Sequence, residues 1–127
     1  MKYTKSQEDF LEALLMLEEE GRPLETTLVA EKLHISKPAV HQMGHELIDR
    51  GLITRKDYGP MKLTSKGRDV AKDVLHRHRV LHRVLIYLGV PEDIAEEDCC
   101  LMEHVLSDVT FEAIERYLSE HDPENIE

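Results

Sequence analysis

The chain has few cysteines and no long apolar run, and each of these features excludes some classes of protein. Its two cysteines, Cys99 and Cys100, are adjacent, a spacing too tight for an ordinary structural disulfide. Proteins without such disulfides are typical of a reducing compartment, so we expect a cytoplasmic protein. The apolar runs are too short to cross a bilayer, and residues 1–5 lead directly into an amphipathic pattern with no export signal.

The net charge of −10 is divided unevenly along the chain. Residues 1–83 carry 15 of the 16 Lys and Arg against 13 acidic residues, whereas residues 84–127 carry one Arg against 13 acidic residues. Residues 32–83 alone carry 12 basic and 5 acidic residues. Because DNA phosphates need a positive surface, this stretch is the plausible DNA-binding part. The acidic half then has a different role.

The spacing of apolar residues predicts a mainly α fold with a small β-hairpin. A chain of 127 residues has room for a small domain that shares its core with a dimerisation module. We therefore expect two domains, residues 1–72 and residues 73–127. The expected helices cover about 4–20, 65–88, 92–107 and 110–121, with two shorter ones between them: one that follows a cap at Thr26 or Thr27 and carries Leu28 to Leu33, and one that follows Ser36 and ends at Gly51. The expected strands are 52–54 and 61–63.

Residues 26–63 have the pattern of a winged helix-turn-helix. Thr26 or Thr27 can cap a short helix, and a turn of about three residues leads to a second helix that Ser36 can cap. Pro38 lies in the first turn of this second helix, where its missing N–H costs nothing. The hairpin that follows after Gly51 has the position of a wing. We predict that this segment reads DNA.

The second helix of this motif would enter the major groove while the wing and flanking residues hold phosphates. Gln42 can pair with adenine, and Ala39 can contact a thymine methyl group. Any one of these residues could instead belong to an ordinary solvated helix surface. The predicted DNA-binding residues are Ser36, Lys37, Pro38, Ala39, His41, Gln42, Arg50, Tyr58 and Lys62, with Arg55 and Lys56 as further candidates for the phosphates.

A second chemical pattern lies in the acidic half. Cys100, Glu103 and His104 are spaced i, i+3 and i+4, so we expect them on one face of a helix. A thiolate, a carboxylate and an imidazole suit a divalent transition ion such as Fe²⁺, Co²⁺, Ni²⁺ or Zn²⁺, and suit Mg²⁺ or Ca²⁺ poorly. Each residue alone could be structural, with Cys100 as a small core side chain. The three together predict a metal site.

A further ligand must come from another helix. Asp9 and Glu12 share one helix face, and His78 and His82 share another, so either pair could complete the site. Both pairs also have alternative roles. Asp9 and Glu12 could stabilise the N-terminus of their helix through its dipole, and His78 and His82 could face DNA phosphates. Cys99 points about 100° away from its neighbour along the helix and is predicted to be a core residue.

In these positions the chain resembles the diphtheria-toxin-repressor and manganese-transport-regulator family of metal-dependent transcriptional repressors. The resemblance implies that residues 1–72 are a DNA-binding domain and that residues 73–127 are a metal-binding and dimerisation domain. The protein would be a homodimer, joined through its acidic C-terminal helices, in which metal binding raises affinity for a palindromic operator and represses metal-uptake genes. The resemblance also implies that the chain lacks the SH3-like third domain of longer members. The residues that carry it are Glu8-Asp9, Ser36 to Val40, Leu63 to Gly67, Arg77-His78-Arg79 and Cys100 to Ser107.

The resemblance also implies the metal ligands. Iron-responsive members have methionine at the position of Asp9 and cysteine at that of Cys100, whereas manganese-responsive members have aspartate and usually glutamate. Because a thiolate disfavours hard Mn²⁺ relative to Fe²⁺, Fe²⁺ is favoured and Mn²⁺ is the alternative. The implied primary site is Asp9, Cys100, Glu103 and His104, and the implied second site is His78, His82 and Glu96, with Glu12 as a further candidate.

One ion held by both Asp9 and the Cys100 helix would tie the DNA-binding domain to the dimerisation domain. Our hypothesis is that this selects the spacing of the two recognition helices that matches DNA half-sites.

Two other functions remain open on the residues alone. The first is a winged-helix regulator that responds to an organic ligand or a partner protein, with an incidental Cys-Glu-His cluster. The second is a metalloenzyme, since three ligands with an open position can activate water. The sequence offers no separate general base, nucleophile constellation or phosphate loop, so we predict that the protein is not an enzyme.

Overall fold

A computed structural model describes residues 3–122, and the mainly helical prediction is confirmed. None of the helices in this described part is long and apolar enough to span a membrane. The elements in chain order are α1 (Lys5–Glu19), α2 (Thr26–Leu33), α3 (Lys37–Asp49), β1 (Ile53–Arg55), β2 (Met61–Leu63), α4 (Ser65–Tyr87), α5 (Glu92–Met102) and α6 (Asp108–His121).

Side chains at the helix N-termini set several of these bounds. Thr4 and Gln7 form a reciprocal capping box at the start of α1. Ser36 accepts a hydrogen bond from the Ala39 amide and caps α3, as predicted. The expected threonine cap of α2 is wrong, because its N-cap is Glu25 and carries no side-chain cap bond.

The hairpin pairs Ile53 with Leu63, Thr54 with Lys62 and Arg55 with Met61. Its first strand therefore begins one residue later than the sequence predicted. The amide of Leu52 donates to the Leu47 carbonyl and so closes the end of α3, although the Leu52 carbonyl still accepts from the amide of Thr64, which directly follows the other strand.

The described residues fall into two compact units, one ending at Lys72 and the other beginning at Asp73. The first unit packs α1, α2, α3 and the hairpin around fully buried side chains that include Phe10, Leu14, Leu47 and Ile53. The start of α4 lies close against this hairpin at Gly67, where a Cβ would collide with the Leu52 backbone. Only glycine fits that approach.

The second unit has its own core. Its buried side chains come from α4, α5 and α6 and are Val80, Leu81, Val84, Cys99, Phe111 and Leu118. The expected burial of Cys99 is thus confirmed, with an exposed fraction of 0%.

The prediction that the fifth helix runs to about residue 107 is wrong, because α5 ends at Met102. The next residues tighten into a turn, with the His104 amide donating to Leu101 and the Val105 amide to Met102. The side chain of Arg77 donates to the Leu106 carbonyl at 2.9 Å and fixes the chain just before the next helix begins. A contact across 29 positions therefore holds the segment between α5 and α6.

Candidate metal centre and DNA-binding surface

The predicted recognition helix α3 turns its polar residues to solvent. Val40 and Leu47 are buried on its inner side. On its outer side Ser36, Lys37, Pro38 and Gln42 are exposed, and Ala39 and His41 are half-buried. The N-terminal turn that would face base edges is therefore accessible.

The hairpin is attached to α2 and α3 through one arginine. Arg55 donates from Nε to the Gly59 carbonyl at 2.7 Å and from Nη2 to Thr26 Oγ1 at 2.5 Å. Tyr58 at the tip is 79% exposed and packs edge-on against the His41 ring, with centroids 5.3 Å apart. The wing and the recognition helix thus form one surface, with Lys56 and Lys62 exposed on its hairpin side.

Arg50 is placed differently from the other predicted DNA-binding residues. Its Nη1 donates to Gln7 Oε1 at 3.0 Å, and its guanidinium lies 4.3 Å from the centre of the Tyr3 ring. A phosphate contact by Arg50 would have to compete with these contacts to α1 and the residues before it.

In the second unit, His78 of α4 is the centre of the ligand-type side chains. Its Nδ1 lies 3.1 Å from Glu103 Oε1, and its Nε2 lies 3.4 Å from Glu96 Oε2. The thiols of Cys99 and Cys100 lie 3.7 and 3.9 Å from Nδ1. The sequence assigned His78 and Glu103 to different sites, and the structure places them in hydrogen-bond contact.

Glu103 is the most deeply buried acid of this cluster, with 1% of its surface exposed. Its Oε1 faces His78, whereas its Oε2 is buried and accepts no hydrogen bond from any residue of the described part. The neighbouring His104 side chain is 4% exposed, with Nε2 at 4.0 Å from Glu103 Oε1. Glu103 and His104 lie in the turn after α5, so the expected single helix face is instead a helix end.

A second group of ligand-type side chains adjoins the first on the outer side of α4. His82 Nε2 lies 2.7 Å from Glu92 Oε2 and 3.9 Å from Glu96 Oε1. The rings of His78 and His82 are stacked with centroids 6.4 Å apart. The predicted second-site residues His78, His82 and Glu96 are thus brought together, and Glu92 joins them.

The remaining predicted ligands lie on α1 in the first unit. Asp9 is half-buried and accepts a hydrogen bond from Lys5 Nζ at 2.7 Å. Glu12 lies one turn further along the same helix and is also half-buried.

The donor set of the second unit fits a divalent transition ion. It offers imidazole, thiol and carboxylate groups, which such ions prefer. A buried carboxylate oxygen without a donor is costly, and a bound cation would offset that cost at Glu103 Oε2.

Sequence reasoning missed Glu92 and the position of the Cys99 thiol. The only signal for Glu92 was its place four residues before Glu96, which puts both on one helix face. The approach of Cys99 to His78 joins two helices, so no spacing within one helix could reveal it.

Both parts of the chain match one family. Residues 2–60 match the iron dependent repressor N-terminal DNA binding domain, and residues 64–125 match the iron dependent repressor metal binding and dimerisation domain. The chain belongs to the iron-dependent repressor family. The resemblance to diphtheria-toxin and manganese-transport repressors is confirmed.

Individual relatives are similar in sequence to this protein over most of the chain. An uncharacterised HTH-type transcriptional regulator of Methanocaldococcus jannaschii is 35% identical over 91% of this chain and 94% of its own length. The diphtheria toxin repressor of Corynebacterium jeikeium is 32% identical over 90% of this chain and 48% of that protein. These relatives are transcriptional regulators.

Among solved structures, a manganese-dependent transcriptional repressor in complex with manganese superimposes with a TM-score of 0.81 at 27% identity. The match covers 89% of this chain and 52% of that one. The chain thus spans about half the length of this repressor and of the diphtheria toxin repressor. The winged-helix prediction for the first unit is confirmed.

Proposed function

We propose that the protein is a transcriptional repressor that senses a divalent transition metal and controls metal-uptake genes. The observation that carries this is the buried Glu103 carboxylate, with one oxygen against His78 and the other without a donor among the described residues. It occurs in a chain whose other unit exposes the N-terminal turn of a recognition helix. Particular side chains thus support both parts of the proposal, the sensing of a metal and the binding of DNA.

The proposed primary ligands are Asp9, Cys100, Glu103 and His104, as the family resemblance implies. The burial of Glu103 and His104 supports their part of this set, since both side chains are almost inaccessible to water. A bound ion would supply positive charge that these side chains share. The proposed second set is His78, His82 and Glu96, with Glu92 added by its contact to His82 and Glu12 as a further candidate.

The proposed metal is Fe²⁺, and Mn²⁺ is the alternative. The Cys100 thiol favours the softer ion, whereas Asp9 is shared with manganese-responsive relatives in the resemblance. One substitution therefore distinguishes Fe²⁺ from Mn²⁺ as the preferred metal. Cys100→Glu, at a half-buried position, converts the ligand set to that of manganese-responsive relatives.

We further propose that the protein binds a palindromic operator as a homodimer in the cytoplasm. Gln42 and Ala39 would contact base edges, while Ser36, Lys37, Tyr58 and Lys62 would contact phosphates near the helix N-terminus and the wing. Pro38 and His41 line the same surface. Arg50 contributes through its contacts to Gln7 and Tyr3, which hold α3 against α1.

The test is an anaerobic titration of DNA binding with Fe²⁺, Mn²⁺ and Zn²⁺, using a DNA site selected in vitro from a random library. The wild type should respond at the lowest concentration of Fe²⁺, and Cys100→Glu should shift the preference toward Mn²⁺. A wild type that prefers Mn²⁺ would overturn the choice of iron. DNA binding that no metal alters would overturn the sensor itself.

A further inference from the structure

Cys99 does more than fill the core of the second unit. Its Sγ lies 3.7 Å from His78 Nδ1 and 3.9 Å from His78 Nε2, so the thiol faces the edge of the imidazole ring. The ligand atoms of His78, Cys99 and Cys100 all lie within 4.8 Å of one another. Neither the family resemblance nor the proposed ligand sets include Cys99.

Glu103 decides which imidazole nitrogen can bind a cation. Its Oε1 lies 3.1 Å from His78 Nδ1 and can accept a hydrogen bond from Nδ1–H. That contact holds the tautomer in which Nε2 carries the free lone pair, an arrangement found around many metal-binding histidines. The available Nε2 then lies 3.9 Å from Cys99 Sγ and 3.4 Å from Glu96 Oε2.

Glu96 lies beside this group. Its Oε2 lies 3.6 Å from Cys100 Sγ and 3.4 Å from His78 Nε2. Ligands bound at about 2.0–2.3 Å from a tetrahedral zinc ion lie roughly 3.4–3.8 Å from one another. The separations of Cys99 Sγ and Cys100 Sγ from the nearer imidazole nitrogen, 3.7 and 3.9 Å, are within or just above that range.

Access and burial are also suitable for an ion. Cys99 is fully buried, whereas Cys100 is half-buried and the side chain of Glu96 is 53% exposed. A cation can therefore enter from the Glu96 side and bind Cys99 on the inner side. The Cys99 thiol now donates to the Glu96 carbonyl at 3.4 Å, which is the contact of a neutral thiol.

We propose that His78, Cys99 and Cys100 form a site for a soft, thiol-seeking divalent cation of the Zn²⁺ or Cd²⁺ class, with Glu96 at its open side. Binding exchanges two S–H bonds for two sulfur–metal bonds and releases two protons to solvent, with no change of oxidation state. Two sulfur ligands favour such ions over Mn²⁺. The inference goes beyond the proposed function and holds whether or not the protein binds DNA.

The site shares Cys100 and His78 with the ligands proposed for the sensor. Cys99 is therefore the residue that separates the two, because it belongs to the soft-cation site alone.

The experiment titrates metal-free, reduced protein with Cd²⁺ and follows the sulfur-to-cadmium charge-transfer absorption, with no DNA present. Wild type should show about twice the intensity of Cys99→Ala, since each bound thiolate contributes one ligand. Competition titrations should give Zn²⁺ affinity at least about ten-fold weaker in Cys99→Ala and Mn²⁺ affinity changed less than about two-fold.

Val80→Ala is the matched control, because it removes buried volume from the same core and no ligand. It should keep the full charge-transfer intensity and the wild-type Zn²⁺ affinity. Equal intensity in wild type and Cys99→Ala would overturn the proposal. So would a loss of Zn²⁺ affinity in Val80→Ala as large as that in Cys99→Ala, because packing would then account for both.

Discussion

The two units of the chain carry their charges in different ways. Up to Lys72 the sequence has 12 basic and 12 acidic residues, whereas from Asp73 on it has 4 basic and 14 acidic ones. Among residues 3–122, the first unit buries one charged side chain, Glu8, and the second buries Arg77, Glu103 and Asp122. A surface that binds DNA needs exposed charge, while a site that binds a cation benefits from buried carboxylate that the ion can neutralise.

Among the variants, removal of the buried Arg77 of the second unit should have the largest effect on stability. Arg77 is 2% exposed, donates to the Leu106 carbonyl and pairs with Asp108. Arg77→Ala should lower the free energy of unfolding by about 3 kcal/mol, since it removes a large buried side chain and its hydrogen bond to the Leu106 carbonyl. Urea denaturation of the metal-free protein measures this loss.

Arg79→Ala is the control for that experiment, because Arg79 lies on the same helix and is exposed. It should change the free energy of unfolding by less than about 0.5 kcal/mol. Equal losses for the two variants would mean that buried charge does not set the stability of the second unit.

The next prediction separates the sensor from the DNA reader. Replacing both Cys100 and His104 by alanine should weaken metal-dependent DNA binding by more than about 100-fold, because even groups that only orient ligands are worth about 10–100-fold. Isothermal calorimetry and DNA binding should show the loss together. Asp98→Asn, an exposed substitution on α5, should leave metal binding and DNA binding unchanged. A metal response that survives the replacement of both Cys100 and His104 would refute this ligand set.

Gln42→Ala should act on the other unit alone. Losing one bidentate base contact should cost about 1–3 kcal/mol of DNA affinity and relax selectivity at a single base pair. Metal affinity in the absence of DNA should stay the same. Lys37→Ala provides the contrast, because a lost phosphate contact weakens binding evenly across sequences and reduces its salt dependence. Uniform weakening by Gln42→Ala would show that this residue reads no base.

The smallest expected effect is at the ion pair of Glu18 and Arg68 on the first unit. The hydrogen bond from Arg68 lowers the pKa of the Glu18 carboxyl below its usual range. The pair therefore stabilises the fold at neutral pH and stops doing so as the pH falls through the lowered pKa. Because both side chains are about one-third exposed, solvent screening limits the loss in Glu18→Gln to under about 1 kcal/mol.

Thermal or urea unfolding across the acid range measures this difference between wild type and Glu18→Gln. It should be present at neutral pH and vanish once Glu18 is protonated. A gap that widens in acid would contradict the direction of the pKa shift.

The first unit was the easier one to predict from sequence. Ser36 at a helix start, Pro38 in the first turn and the apolar period around Val40 and Leu47 are local signals, and α3 follows them. The hydrogen bond of Arg50 to Gln7 could not be predicted, because the two residues are 43 positions apart.

In the second unit the ligand types were predictable and their arrangement was not. The spacing of Cys100, Glu103 and His104 indicated a continuous helix, but α5 ends at Met102, and Arg77 of α4 binds the Leu106 carbonyl in the segment that follows. The approach of His78 to both Cys99 and Glu103 likewise depends on how α4 packs on α5. Periodicity within one helix carries no information on such contacts.

In the proposed function, a metal ion in the second unit controls DNA binding by the first. This is tested by comparing the affinity of the protein for its selected DNA site in excess chelator and in saturating Fe²⁺ or Mn²⁺, at one fixed salt concentration. We predict at least about ten-fold tighter binding with metal in the wild type and no difference in Glu103→Ala, whose buried carboxylate is lost. Equal affinity of the wild type in chelator and in metal would show that metal does not control DNA binding.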